Sequence, residues 1–309
     1  MPADGPLVVA VVGPTASGKS EVALRIAETV GAEVVSADAM QLYRGMDIGT
    51  AKLPPEQRRG IAHHQIDVLD VTDEATIARY QREARESIDD IRGRGLPVVV
   101  AGGSGLYVRA ALDHLDIPPT DPDVRGRLEA RAQESGAAAT FAELSERDPA
   151  AAQAIGRHNV RRLVRALEVI EITGRPFSAS MPERRHLHPT VMVGLRPPRA
   201  LLDSRIDERV QQMWRDGLLD EVRSLVPQGI RSGRTASRAL GYAQALAEID
   251  GTMTEAAAQA QTSQLSRRYA RRQESWFRPD PRISWFDPSD PSGTEDALAH
   301  VTGAVADNG

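Results

Sequence analysis

Eight residues near the amino terminus, Gly13-Pro14-Thr15-Ala16-Ser17-Gly18-Lys19-Ser20, restrict the possible folds more than any other stretch. They match G-x-x-x-x-G-K-[ST] at every fixed position. The pattern needs a strand before it and a helix after it, and both are legible. Residues 7–12 (LVVAVV) form a short continuous β-rich run, as expected for a strand covered on both faces. Val22, Ala23, Ile26, Ala27 and Val30 then recur at helical spacing until Gly31 supplies a stop. Glu33–Ser36 reads as a second strand. This opening predicts an α/β fold of the P-loop kind, a doubly wound parallel sheet flanked by helices.

The motif carries its own chemistry. Glycines let the backbone wrap an anion so that successive N–H groups point inward, and the following helix presents its positive end to the same anion. Lys19 neutralises terminal phosphates, and the Ser20 hydroxyl is placed to bind Mg²⁺. Gly13, Pro14, Thr15, Ala16, Ser17, Gly18, Lys19 and Ser20 are therefore the candidate diphosphate cradle, with Ser20 the candidate metal ligand. The loop alone does not say which phosphate compound it holds.

The remainder of the chain extends the sheet and then interrupts it. Ile77, Tyr80, Ala84, Ile88 and Ile91 mark an amphipathic helix, residues 96–101 a buried strand, and residues 102–107 (GGSGLY) a second glycine-rich turn. Thr190–Leu195 and residues 282–286 are the remaining strand candidates. Between Asp116 and Pro189 the character changes. A turn-rich linker, DIPPTDPD at 116–123, precedes three helical patterns with no strand. Residues 1–116 and 189–309 are thus read as the catalytic core, and 117–188 as a helical insertion domain. A long helix is expected around 202–214, another over 254–276, and a short one at 295–306. With no cysteine in 309 residues, disulfides, zinc-thiolate sites and cysteine nucleophiles are excluded. No run approaches the roughly 20 apolar residues of a membrane span. The expectation is a cytoplasmic monomer without membrane contact. The net charge of −5 confines any nucleic-acid contact to local basic patches.

Asp38 follows the second strand. Ligand sites in open α/β sheets lie beyond the carboxyl ends of strands, so Asp38 projects toward the same crevice as Lys19. It can act there as a proton acceptor, or it can cap the next turn. Strand 96–101 ends in Gly102-Gly103-Ser104, not in the aspartate that many P-loop NTPases use for Mg²⁺. That favours a small transferase site over a motor.

Seven runs together resemble the tRNA dimethylallyltransferase (tRNA isopentenyltransferase) family: GPTASGKS (13–20), SADAMQLYRGMDIGTAK (36–52), AGGSGLYVRAAL (101–112), VRRLVRALEVIEITG (160–174), RIDERVQQM (205–213), RALGY (238–242) and RRYARRQESWFR (267–278). The resemblance covers most of the chain, in the family's order. It implies transfer of a dimethylallyl group from dimethylallyl diphosphate to N6 of the tRNA adenine just 3′ of the anticodon. By the same resemblance Asp38 is the base, Ser104 stands where the family usually has Thr, and Lys19 and Arg209 stabilise the leaving diphosphate. Ala39 replaces a common Ser, and Gln41 fits an adenine-reading position. Asp38, Ala39, Met40, Gln41, Ser104, Arg125, Arg161, Arg162, Leu163, Val164, Arg165, Arg238, Ala239, Leu240, Gly241, Tyr242 and Ala243 match positions near the tRNA anticodon stem-loop.

Independently of the family, Arg157, Arg161 and Arg165 fall at i, i+4 and i+8, forming one stripe on a helix. Arg267, Arg268, Arg271 and Arg272 form a second basic cluster, followed by Trp276 and Phe277, which read as buried anchors more readily than as base-stacking groups. His63 and His64 read as structural and not as metal ligands. The rival readings are a P-loop small-molecule or nucleoside kinase, which predicts phosphoryl transfer, and a non-enzymatic RNA-binding module, which has no use for Lys19 or Asp38.

Overall fold

The computed structural model describes residues 5–180 and 184–308. In chain order, β1 (Val8–Val12) is followed by α1 (Lys19–Val30), β2 (Glu33–Ser36), β3 (His63–His64), α2 (Ile77–Gly93), β4 (Val98–Gly102) and α3 (Gly105–Leu112). Three helices come next: α4 (Pro122–Arg147), α5 (Pro149–Ile155) and α6 (Val160–Thr173). The chain then runs through β5 (Thr190–Leu195), α7 (Arg199–Arg215), α8 (Leu218–Leu225), α9 (Tyr242–Ile249), α10 (Glu255–Phe277), β6 (Ile283–Phe286) and α11 (Gly293–Asn308).

Two compact units result, one from Met1–Leu112 with His186–Gly309, the other from Asp113–Arg185. The switch falls a few residues earlier than the turn-rich run at 116–123 suggests. Backbone pairing explains this: Leu187 N donates to Leu112 O at 2.8 Å within the first unit, and His114 N to Arg185 O at 2.9 Å within the second.

The first unit holds a six-stranded sheet, ordered β3-β2-β4-β1-β5-β6, with every neighbouring pair parallel. All five β1 residues are fully buried, which is why that strand reads as unbroken valine and alanine. Val9 and Val11 pack with Val22 and Ile26 of α1 and with Ala297 and Val301 of α11. The α2 and α3 helices meet through Tyr80 and Tyr107, whose rings lie 4.5 Å apart, and the Tyr80 hydroxyl donates to Ser36 O at 3.0 Å. At the β3 edge, His64 Nε2 pairs with Glu33 Oε2 at 2.7 Å, and Arg94 holds both Glu33 oxygens. The Arg94 hydrogen bonds carry the Glu33 carboxyl down to about 2 against its partial burial, with His64 assisting. His63 Nδ1 bonds Ile61 O, so the two histidines serve the strand edge.

The second unit is helical. Its core gathers Leu128, Leu144, Leu163, Val164 and Leu167. α4 is interrupted at Gly136, where φ is 82°. The expected 157–161–165 arginine stripe is not on one helix. Gly156 ends α5 and the Asn159 side chain caps α6, so Arg157 lies in the turn between them. Glu168 is fully buried and accepts from Arg125, Arg165 and the Asp121 amide. Burial alone raises a carboxyl pKa, but these donors bring this one below its ordinary value.

Glu168→Ala should therefore destabilise the second unit by about 3 kcal/mol, the lower end for breaking a buried ion pair, because both guanidinium groups keep some water contact. Since the folded pKa is the lower one, the wild-type contribution is complete at neutral pH and fades as pH falls through the acid range. Urea unfolding at pH 7 and at pH 4 measures both effects.

Candidate active site

The phosphate loop is built by close packing. Gly13 runs so near β5 that a Cβ there would sit 2.7 Å from Leu195 O, so only glycine fits. Ala16 adopts a left-handed φ of 61°, a costly conformation outside glycine that its surroundings must hold. Ser17 N donates to Pro14 O at 3.3 Å, and Gly18 leads into α1 with φ 88°. Lys19 Nζ donates to Pro14 O at 2.6 Å. Burial lowers the Lys19 pKa to about 8; the nearby Asp38 carboxylate opposes that shift and Arg209 adds to it.

Arg209, on α7, reaches Thr15 Oγ1 at 3.3 Å. Burial lowers its pKa too, again opposed by Asp38. Its Nε and the Ser17 Oγ are buried without a hydrogen-bond partner among the described residues. Buried polar atoms ordinarily find partners. Two half-buried cations beside one loop, one of them with an idle buried donor, mark a place for a multiply charged anion.

The loop opens on a cleft of about 1030 Å³, lined by Thr15, Ala16, Gly18, Lys19 and Ser20, by residues 38–41 and 47–54, by Arg209, and by Tyr269, Arg272 and Gln273 of α10. A side cavity of about 60 Å³ is shared by Lys19, Ser20, Asp38 and Gln41. Asp38 caps the turn and also faces the cleft, where a proton acceptor would have to stand. Its Oδ1 accepts from Met40 N at 2.9 Å, capping the turn, while the residue lines the cleft. Gln41 is already engaged: its Oε1 accepts from Ser36 Oγ at 3.0 Å and its Nε2 donates to Thr50 O at 3.4 Å.

The other sequence candidates divide. Ala39, Met40, Arg238, Ala239 and Leu240 line the cleft. Gly13, Pro14 and Ser17 stand behind it as support. Ser104 lies outside the lining of either cavity, in the turn before α3, where its carbonyl accepts from Val108 N at 3.0 Å. Gly241 starts α9, Ala243 lies within it, and Tyr242 is fully buried, so this part of the 238–243 segment is scaffold and not surface. In the second unit, Arg161 and Arg162 are exposed. Leu163 and Val164 point into that unit's core, which removes their side chains from RNA contact, and Arg125 and Arg165 are committed to Glu168. On α10, Arg267 pairs with Asp207, and Arg272 stacks over Tyr269 at 5.5 Å. Phe277 is buried as expected, but Trp276 is 46% exposed, lying over Gly105.

Three functional side chains escaped the sequence reading. Glu221 accepts from the backbone N–H groups of Asp47, Ile48 and Gly49, at 3.0, 2.7 and 3.5 Å, and from Tyr242 OH at 2.5 Å. Lys52 Nζ, deeply buried, donates to Tyr43 O, Asp47 Oδ1 and Asp67 Oδ1. Together they fix the cleft wall at 47–52. Gln273 accepts from Thr15 N at 2.8 Å. Its signal was present: it interrupts the buried stripe Ala258, Thr262, Ala270 and Phe277 with an amide.

A phosphate loop with half-buried cations, set on a parallel sheet and facing one carboxylate across an open cleft, defines the class: P-loop α/β enzymes. The model of a family described as IPP transferase matches residues 41–280. A Kineococcus radiotolerans protein named tRNA dimethylallyltransferase is 59% identical over 301 residues, covering 95% of each chain. One of the same name from Thermobifida fusca is 56% identical over 299 residues, covering 95% of this chain and 94% of that one. The solved tRNA isopentenylpyrophosphate transferase of Bacillus halodurans superposes with a TM-score of 0.72 at 38% identity over 97% of each chain. A eukaryotic dimethylallyltransferase described as acting on tRNA gives 0.82 at 24% identity over 98% of this chain and 79% of its own, a likeness of fold. The chain belongs to the IPP transferase family.

Removing the Glu221 carboxylate frees three amides at once. Glu221→Ala should speed hydrogen exchange at Asp47, Ile48 and Gly49 by about tenfold or more, the equivalent of about 1.4 kcal/mol of local opening. Exchange in β1 and β4 should be unchanged. Mass-spectrometric exchange on peptides spanning 45–52 checks this.

Proposed function

We propose that this chain transfers the dimethylallyl group of dimethylallyl diphosphate to N6 of an adenine in tRNA, at the position 3′ of the anticodon, and releases diphosphate. The observation that carries the reading is the pairing of Lys19 and Arg209, both half-buried against the phosphate loop, with Asp38 on the same cleft. Family membership supports the choice of donor and acceptor.

The chemistry asks for those groups. As the allylic C–O bond breaks, its electron pair stays with diphosphate, and the allyl carbon becomes electron-poor. Lys19, Arg209 and the loop amides stabilise the growing negative charge. The adenine N6 lone pair forms the new C–N bond. N6 is then acidic, and Asp38 takes its proton. The target base must leave its stack to reach the cleft, at a cost of a few kcal/mol that is smallest in an open loop.

A divalent cation fits this arrangement. Ser20 and Asp38 line the same cavity, a hydroxyl and a carboxylate oxygen of the hard kind that Mg²⁺ takes beside phosphate oxygens and water. When bound, it adds neutralising charge to the departing diphosphate. Among the described residues no helix is long and apolar enough to cross a membrane.

With unmodified tRNA, Mg²⁺ and either labelled dimethylallyl diphosphate or labelled ATP, the allyl label should enter RNA and the ATP label should not move. Phosphoryl transfer from ATP would return the chain to the kinase reading. Asp38→Ala should lower the single-turnover rate by roughly 10²–10⁴-fold with little change in tRNA affinity. The Lys19 pKa supplies a pH test. Below about 8 its ammonium is in place before the donor arrives; above that, binding must take up a proton. Donor affinity should therefore fall as pH rises past 8, approaching tenfold per pH unit, and Lys19→Met should bind weakly at every pH without that slope.

A further inference from the structure

The loop that holds the donor contains a strained residue, and the side chain that steadies it comes from the far end of the chain. Ala16 is left-handed at φ 61°. A non-glycine residue in that region costs of order 1–3 kcal/mol and persists only where its neighbours over-determine it. Inside the loop, the support is Ser17 N to Pro14 O and Lys19 Nζ to Pro14 O, both on one carbonyl. From outside, two residues reach Thr15, the position just before the strain: Arg209 at its hydroxyl, and Gln273 Oε1 at its N–H, 2.8 Å away.

Gln273 is itself locked. It is 5% exposed. Its amide packs against Gly103 so closely that a Cβ at 103 would overlap Nε2. The same side chain thus touches the phosphate loop on one side and the β4–α3 turn carrying Ser104 on the other. It is mounted on α10, whose Tyr269 and Arg272 wall the cleft.

We infer that Gln273 is a positioning residue for the donor: by holding the Thr15 amide it keeps Ala16 left-handed and aims the following N–H groups of the loop at the diphosphate. The inference rests on the donor assignment above. Gln273 accepts a hydrogen bond from the loop, touches no reacting atom in this scheme, and contributes by fixing where the other donors point.

The test uses the full-length protein and two variants. Gln273→Met keeps the length of the side chain and removes the acceptor. Gly103→Ala leaves Gln273 in the sequence and pushes its amide aside, its Cβ lying 2.2 Å from Nε2 and a milder 3.1 Å from Gly13 O, which need give only by a few tenths of an ångström; residue 103 does not have the positive φ that would strain an alanine. Each should weaken binding of dimethylallyl diphosphate by about tenfold, the effect of one lost buried hydrogen bond, and raise the donor KM. The tRNA KM should stay within about twofold. Hydrogen exchange of the 13–18 segment should rise while β1 stays protected, and the double variant should be no worse than the poorer single one, because both act through one contact. Donor affinity unchanged in a folded variant would overturn the inference. So would a parallel rise in donor and tRNA KM, or fully additive losses in the double variant. Allyl transfer by the wild-type protein is read in the same experiment, so failure of the donor assignment shows separately, as no binding of dimethylallyl diphosphate by any form.

Discussion

Positive charge that is only partly hydrated is the constraint around which this site is organised. Lys19 and Arg209 are both half-buried beside one loop, and burial disfavours the charged form of each. Asp38 offsets part of that penalty. A carbonyl and a hydroxyl, Pro14 O and Thr15 Oγ1, accept from the two cations, and some donor capacity is left over. A fold that tolerates this keeps its binding energy in reserve for an anion. The rest of the first unit serves to hold the arrangement: β5 presses on Gly13, α7 carries Arg209, and α10 supplies Gln273.

The opposite sign governs the supporting shell. Glu221 and Glu168 are carboxylates that gather donors, one from three successive backbone amides and a tyrosine, the other from two arginines and an amide. Hydrogen bonds to a charged group are the stronger kind, and a carboxylate with several lone pairs can hold several chain segments at once. The 47–52 wall of the cleft is irregular in backbone, yet it is held from both ends, by Glu221 and by Lys52. A cleft wall without helix or strand gains its definition from such buried charges.

The legible part of this chain is the part that depends on neighbours in sequence. The phosphate loop, the valine-rich β1, the amphipathic α2 and the helical character of the second unit all follow from local pattern, and each lies where its pattern put it. What local pattern missed depends on partners far away. Arg157 looked helical because arginines recurred at a spacing of four; the turn at Gly156 broke the register. Leu163 and Val164 sat in a run resembling an RNA-contact segment, but a helix shows only one face, and theirs is the core. Trp276 read as an anchor from its size, and nearly half of it meets solvent. Glu221 and Gln273 are ordinary surface residue types whose importance appears only when segments 172 and 258 positions apart meet.

That last separation bears on how the protein is made. Domains form as the chain emerges, amino-terminal parts first. The loop at 13–20 leaves the ribosome early, with β1 and α1, but the amide that steadies Thr15 is synthesised 258 residues later. Until α10 arrives, a nascent chain carries a recognisable phosphate motif without the brace for its strained residue. On the proposed reading, affinity for the donor is thereby tied to the arrival of α10, and a chain truncated before residue 273 would lack the brace of its cradle even though every residue of the motif is present.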